Sequence, residues 1–538
     1  MAEASISNPK GPKRFPLLGI VAVLLGASIS SFFGRLLSVG AGDLRGAMHM
    51  DYDTASWIST WFNMGQMFIG PFTVYLASIL GPRRVLFLGA VSFTGLTLLL
   101  PFVPHAPTFL FLTFLAGLTV GTFYPLTLAF LLRSINQMYA LWAIAVYAID
   151  IVVTVHITHS YDAWMMEHLS WRWIFWTNTT LTVLMVALIY FGVPEQPLPQ
   201  AKPGEQTPSW RGFLYGSAGA ALLYGALDQG IHLDWWHSPT FVAMVVSGSY
   251  LLLSAIIRHF YLPNRMVNFP FLRRWNTMVM AFLLLFFRFF LLSALLLVPT
   301  YLSSVQHYSA SEIGPVLLWL AIPQVIAGVF AVYLLERIDA RVILAVGIAL
   351  IAAGCIENAT LTSAWSGQNF FVTQLLLAIG EAITFNGLVG ALILDVMNSG
   401  IMNRGIEMLT FSAFFQVVRL VGGEIGTVYM QHFLRVRTAF HASVIGSIPI
   451  GSPAANARLQ GLIAGMQGNA PTTNSAIGRS ATLFGLTVRQ QAFTMAIGDC
   501  FWLIAFSALI CLVAVACVGS LNIQYKHVLA TLRAQRTS

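Results

Sequence analysis

Apolar runs of about 20 residues or more recur along the whole chain, as at 15–39, 108–132 and 277–302, and each is long enough to cross about 30 Å of hydrocarbon as a helix. Lipid offers no partner to an unpaired backbone N–H or C=O, so such segments have to be helical. The first run is too long for a signal peptide and is followed by many more, which makes it a span rather than a leader. Of 538 residues only 9% are charged and 57% are hydrophobic, against roughly a quarter charged in soluble domains. Water is not the main solvent of this chain.

Breaking the sequence at charged, Pro-rich and Gly-rich punctuation predicts spans at 15–39, 54–79, 84–104, 108–132, 138–160, 171–193, 211–230, 239–259, 276–303, 312–335, 341–362, 369–397, 405–435 and 495–518. The net charge of +8 is informative through its placement. Lys10, Lys13 and Arg14 precede the first span, Arg83 and Arg84 follow the second, Arg133 the fourth, and Arg258, Arg265, Arg273 and Arg274 the eighth. The alternate loops carry Asp43, Asp51 and Asp53, then Asp162 and Glu167, then Asp234. Short cytoplasmic loops are enriched in Lys and Arg, so both termini are expected in the cytoplasm and the helix number is even. The expected organisation is an all-α membrane protein: a six-helix bundle over 1–193, a cytoplasmic linker at 194–210, two additional helices at 211–260, C-terminal bundle helices at 261–435, a polar periplasmic loop at 436–494, and a last helix with its tail at 495–538. Within the loop, Ala454 to Gln467 reads as a short helix.

The four cysteines, Cys355, Cys500, Cys511 and Cys517, lie in apolar segments without ligand spacing, which argues against a disulfide framework or a zinc site. No GxxxxGK[ST] loop is present, so ATP is not the expected energy source. No cofactor is implied, and an enzyme is not expected.

Ionisable residues inside a membrane are expensive, and by default mark a pathway or relay. Asp150, Arg288, Glu381 and Arg419 fall near the middle of their spans. Arg288 is flanked by Phe286, Phe287, Phe289 and Phe290, and two readings stay open for it: an anion-attracting cavity residue or a structural ion pair between bundles. Glu381 precedes Thr384 and Asn386 on a polar face and is either a proton-exchanging group or a hydrogen-bonded structural carboxyl. His156 and His159 share a face three residues apart after Asp150, a place for proton exchange or for simple packing. A metal set of His156, His159 and Asp162 lacks a further ligand. Arg35 is expected to snorkel at a helix end, and Gly422, Gly423 and Gly426 to allow close helix contact.

Four local patterns now resemble a known family. Trp171, Arg172, Trp173, Ile174, Phe175 and Asn178 match its WRWIF motif; Leu227, Asp228, Gly230, Asp234, Trp235 and Ser238 match LDxGxxxDWxxS. Arg419, Gly422, Gly423, Ile425 and Gly426 match RxxGGxIG, and Gln491, Ala492, Asp499 and Phe501 match its QA…D.F signature. In order and at the expected helices, they make the chain similar to the fourteen-helix drug:proton antiporters of the major facilitator superfamily, EmrB/QacA type, nearest the EmrB side. The resemblance implies two six-helix bundles plus two extra helices, export of drugs or small amphipathic metabolites, residence in a bacterial inner membrane, and a periplasmic adaptor leading to an outer-membrane channel. The departures fall on coupling motifs. Phe33 stands where the family has a first-helix Asp, Ser78 replaces the Asp of the loop motif, Thr113 and Ala116 replace an Arg and a Gln, and Thr154, Thr158, His159, Asp162 and Ala163 replace the antiporter motif. An importer or uniporter without antiport, and a non-transporting scaffold or sensor, therefore stay open beside proton-coupled export.

Overall fold

The computed structural model describes residues 16–134, 140–194, 209–261, 274–398, 405–447, 452–467 and 472–518, and among them there is no β-strand. Lys10, Lys13, Arg14, Arg265 and Arg273, most of the linker expected at 194–210, and the tail from 519 lie outside them.

Fourteen helical rods form in chain order: α1 Pro16–Val39, α2 Tyr52–Leu80, α3 Pro82–Leu99, α4 Ala106–Val120 continued by Phe123–Ser134, α5 Ala140–His168, α6 Trp173–Gly192, α7 Trp210–Gln229 and α8 Pro239–Tyr261. They are followed by α9 Trp275–Phe290 continued to Ser304, α10 Ala310–Leu318 with Ala321–Leu335, α11 Ala340–Asn358, α12 Phe371–Asn398, α13 Gly405–Ser447 and α14 Thr473–Ala516. Among the described residues, ten contain an apolar stretch long enough to cross a membrane. The four that fall short, α2, α5, α7 and α13, carry the polar side chains described below.

Local chemistry sets the breaks. The Asp51 carboxylate caps α2 by accepting from Thr54 N at 3.0 Å. Gly81, at φ 84°, then turns the chain in a conformation that an L side chain rarely adopts, and Pro82 opens α3. Ser309 and Glu312 form a capping box on α10.

Helices α1 to α6 pack into one bundle and α9 to α14 into a second; α5 lies against α10 and α12, and α13 against α2 and α4. The extra pair is asymmetric. Helix α7 packs on α2 and touches α13, whereas α8 packs mainly on α7. In the first bundle, Phe33 is buried and makes edge contacts with Phe62, Phe93 and Phe175, ring centroids 5.2, 5.2 and 5.9 Å away. The α1 position that resembles the site of a coupling Asp is thus the centre of an aromatic core.

The last two rods differ from the sequence reading. Spans were expected to end at 435 and to begin at 495, yet α13 continues to Ser447 and α14 starts at Thr473; the short helix expected from Ala454 to Gln467 forms between them as Pro453–Gln467. At 43 and 44 residues each is about 65 Å long, roughly twice the hydrocarbon thickness, so both project beyond the membrane. Asp499 of α14 clasps the projection: its Oδ2 accepts from Arg437 Nε at 2.6 Å and lies 2.6 Å from His441 Nε2. His441 belongs to this helical stem and not to a loop.

Candidate functional site: a cavity between the bundles

A cavity of about 430 Å³ lies between α1, α2, α5, α7, α9 and α13. Its lining runs along the half of each helix nearer the 41–51 connection. From α2 come Ser56, Ser59, Asn63 and Gln66, spaced by three, four and three residues so that they fall on one helical stripe. Exposed Arg45 and Tyr52 stand at its mouth. At the opposite end the bundles touch, where buried Gln416 of α13 donates from Nε2 to Gly121 O of α4 at 3.2 Å.

Three arginines reach this space, each by a different device. Arg35 of α1 donates from Nη2 to Leu295 O at 2.9 Å. That carbonyl lies four residues before Pro299, which has no N–H to donate back to it. Arg288 of α9 lies opposite Gly423 of α13, where a Cβ would be 3.4 Å from the guanidinium Nε and Nη2. Arg419 of α13 is 6% exposed and places its guanidinium 3.8 Å from the Tyr124 ring centroid, a cation–π contact.

Two carboxyls share the lining. Tyr224 of α7 donates its hydroxyl to Glu424 Oε2 of α13 at 2.6 Å, and Asp228, one turn further along α7, is close enough to Glu424 to interact with it. The next residue, Gln229, fixes α7 to α2 by donating to Thr60 Oγ1 at 2.6 Å and accepting from Ser56 Oγ at 3.2 Å.

Of the residues singled out from sequence, Arg35, Arg288, Arg419, Asp228 and Gly423 line the cavity. Asp150, His156, His159 and Glu381 do not. Asp150 Oδ1 accepts from Ser28 Oγ at 2.6 Å inside the first bundle. Glu381 of α12 accepts from Gln324 Nε2 at 2.9 Å and faces His156 of α5, 3.4 Å away, in a sealed contact between the bundles. Among the described residues no group of three His, Cys, Asp or Glu converges as a metal site. Arg83 donates to Tyr190 O at 3.2 Å, while Arg84 begins α3 beside it. Arg172 lies over the Trp171 ring at the start of α6. Asp234 is exposed in a turn with φ 57°, and Gly422 seats α13 on α9, a Cβ there being 3.0 Å from Leu285 Cα. Arg35 is drawn inward instead of snorkelling. Tyr224 and the α2 stripe were not singled out, although the stripe's helical spacing is plain in the sequence.

The Major Facilitator Superfamily family model matches residues 23–427. The chain is 22% identical over 449 residues to the Multidrug export protein EmrB of Haemophilus influenzae, covering 80% of this chain and 84% of that one. It is also 22% identical over 203 residues to the Fatty acid resistance protein FarB of Neisseria gonorrhoeae, covering 38% and 39%. The solved structure of the proton:xylose symporter XylE superposes with a TM-score of 0.54 at 12% identity over 91% of this chain and 94% of that one. At that identity the likeness is one of fold.

Proposed function

The chain belongs to the Major Facilitator Superfamily, and from that premise we propose that it exports small amphipathic molecules by proton-coupled alternating access. It is a multi-pass membrane transporter and not an enzyme. The observation that carries the proposal is the cavity between the bundles: it has polar and apolar walls, a mouth beside residues 41–52, and a closed opposite end at Gln416 and Gly121. Rocking one bundle against the other would open the closed end and shut the mouth.

Arg288 and Arg419 contact substrate in this reading. Asp228 and Glu424 are the carboxyls a proton reaches from the cavity, so they stand in for the Asp that Phe33 replaces. Glu381 and His156 are coupling residues of another kind, because their contact joins α5 to α12 and must change when the bundles part. Asp150 and His159 support the same helix from within. The test is transport in proteoliposomes with the exported drugs of relatives as probes. Accumulation against a gradient only while a pH gradient is imposed is expected, and equal movement after the gradient is collapsed would leave a uniporter.

The membrane is the inner membrane of a bacterium, with both termini cytoplasmic, which puts the cavity mouth and the α13–α14 stem outside. The stem carries exposed Val436, Phe440, Val444, Ile477 and Leu486. Together with the resemblance to the EmrB side, this apolar surface makes it the docking site for a periplasmic adaptor leading to an outer-membrane channel. Replacing the exposed Phe440, Val444, Ile477 and Leu486 of the stem by Ser is expected to keep substrate binding and to abolish adaptor copurification; undiminished copurification would remove the docking role.

A further inference from the structure

The cavity's charges do not cancel one another. Four guanidiniums, of Arg35, Arg45, Arg288 and Arg419, line it against two carboxyls, of Asp228 and Glu424, which lie beside each other at the α7–α13 contact, where Glu424 accepts from Tyr224. Among the described residues no carboxylate lies within ion-pair distance of Arg35, Arg288 or Arg419. Their Nε atoms are buried without a hydrogen-bond partner, and Arg288 is close enough to both Arg419 and Arg35 to be repelled by them. The neutral groups that meet them, the Leu295 carbonyl and the Tyr124 ring, satisfy only part of a donor set of five N–H groups each.

A cluster of unneutralised cations in a low-dielectric cavity is costly unless an anion joins it. A guanidinium fork is shaped for a carboxylate or a similar oxyanion. Beside the cluster, Ile151, Val155, Leu291, Leu292 and Leu420 provide an apolar wall. Gly423 keeps the space next to the Arg288 guanidinium clear of any side chain. The volume of about 430 Å³ is within the range of sites for drug-sized ligands.

We propose that Arg35, Arg288 and Arg419 form an anion site, and that the transported molecules are anionic amphiphiles, a carboxylate carried on a hydrocarbon or aryl body. This rests on the transport reading above but is tested by binding, so the two can fail separately. In use, the carboxylate accepts from Arg288 and Arg419 while its tail lies on the α5 and α9 leucine, isoleucine and valine side chains. Arg35 supplies the third cation from α1, so the anion draws both bundles together.

The experiment uses the full chain in nanodiscs of zwitterionic lipid and three probes built on a linear ten-carbon chain: decanoate, decanol and decyltrimethylammonium. Calorimetric titration is expected to show decanoate binding at least tenfold tighter than either other probe. Arg288→Gln and Arg419→Gln, each checked for a monodisperse peak, should weaken decanoate tenfold or more and decanol less than twofold, and Arg288→Lys should recover part of the loss. Equal affinity for decanol and decanoate in the unaltered protein would overturn the proposal. So would decanoate binding unchanged in both glutamine variants. If one variant does not fold, the other carries the test. Selective decanoate binding without proton-driven flux would leave the anion site standing and remove the transport reading instead.

Discussion

His156 of α5 and Glu381 of α12 face each other at 3.4 Å, with neither side chain exposed. The contact crosses the interface between the two bundles, and Gln324 of α10 completes it from the second bundle. Removing the carboxyl would leave a buried imidazole and a buried amide without their partner, whereas an amide of the same shape keeps the hydrogen-bonding frame. We expect Glu381→Ala to lower stability by about 1–3 kcal/mol and Glu381→Gln to fold with normal yield but to lose pH-driven transport. Melting in detergent and flux under an imposed pH gradient measure the two effects. A glutamine variant with unchanged pH dependence would show that Glu381 has no part in coupling.

Restoring the familiar acid on α1 is expected to fail. Phe33→Asp would put a carboxyl among Phe62, Phe93 and Phe175 and leave a void where a ring was. The loss of a buried Phe alone is worth about 3–5 kcal/mol, and an unpaired polar group adds to it. Membrane yield and melting temperature should both fall. A stable Phe33→Asp protein with stronger proton coupling would mean that α1 rearranges around the carboxyl.

Adjacent glycines on α13 should respond differently. Gly422→Ala drives a methyl to 3.0 Å from the Leu285 backbone, which cannot yield without moving α9, so a loss of about 1–3 kcal/mol is expected. Gly423→Ala meets only the flexible Arg288 head at 3.4 Å. Its strain is offset by the better helix propensity of Ala, about 1 kcal/mol. Thermal melts should separate the two variants. Equal losses would mean that the α9–α13 contact is not as close as described.

A pH effect is expected at the α10–α11 corner, outside the membrane. Asp339 caps α11 and accepts from Arg341 N, Nε and Nη2 at 2.9, 3.1 and 2.8 Å. The hydrogen bonds from the Arg341 side chain, first among the causes, hold its carboxyl below the usual range. A carboxyl with a lowered folded-state pKa stabilises the fold above its unfolded value, near 4, and loses that contribution as pH falls through the lowered value. Asp339→Asn should therefore cost about 0.5–1 kcal/mol at pH 7, a modest figure for a partly exposed group. The difference from the unaltered protein should shrink as pH falls below the unfolded value. A gap that persists there would assign the effect to packing.

The spans were legible because lipid imposes both length and helicity on apolar runs. Arg288 stood out because a cation among four phenylalanines is costly anywhere in a membrane. What could not be read was partnership. Tyr224 and Glu424 are 200 residues apart, and no local pattern says which helices will meet. The sealed place of Glu381 was hidden for the same reason, since His156 lies on a different bundle. The overlong α13 and α14 were missed because glycine, serine and asparagine between 436 and 494 resemble loop chemistry. A helix already nucleated in the membrane extends through such residues with little further cost, and the Asp499 clasp then holds the two extensions together.

The placement of α7 bears on how such a protein can be shortened. A transporter trimmed to twelve helices by excising residues 194–261 would lose Tyr224, Asp228 and Gln229 together with the flank they cover between α2 and α13. Hydrocarbon tails would then have a sideways entrance to the binding space, and Glu424 would face lipid without its hydroxyl donor. Helix α7 is therefore the bulkhead of the cavity, and it cannot be removed without rebuilding the side it seals.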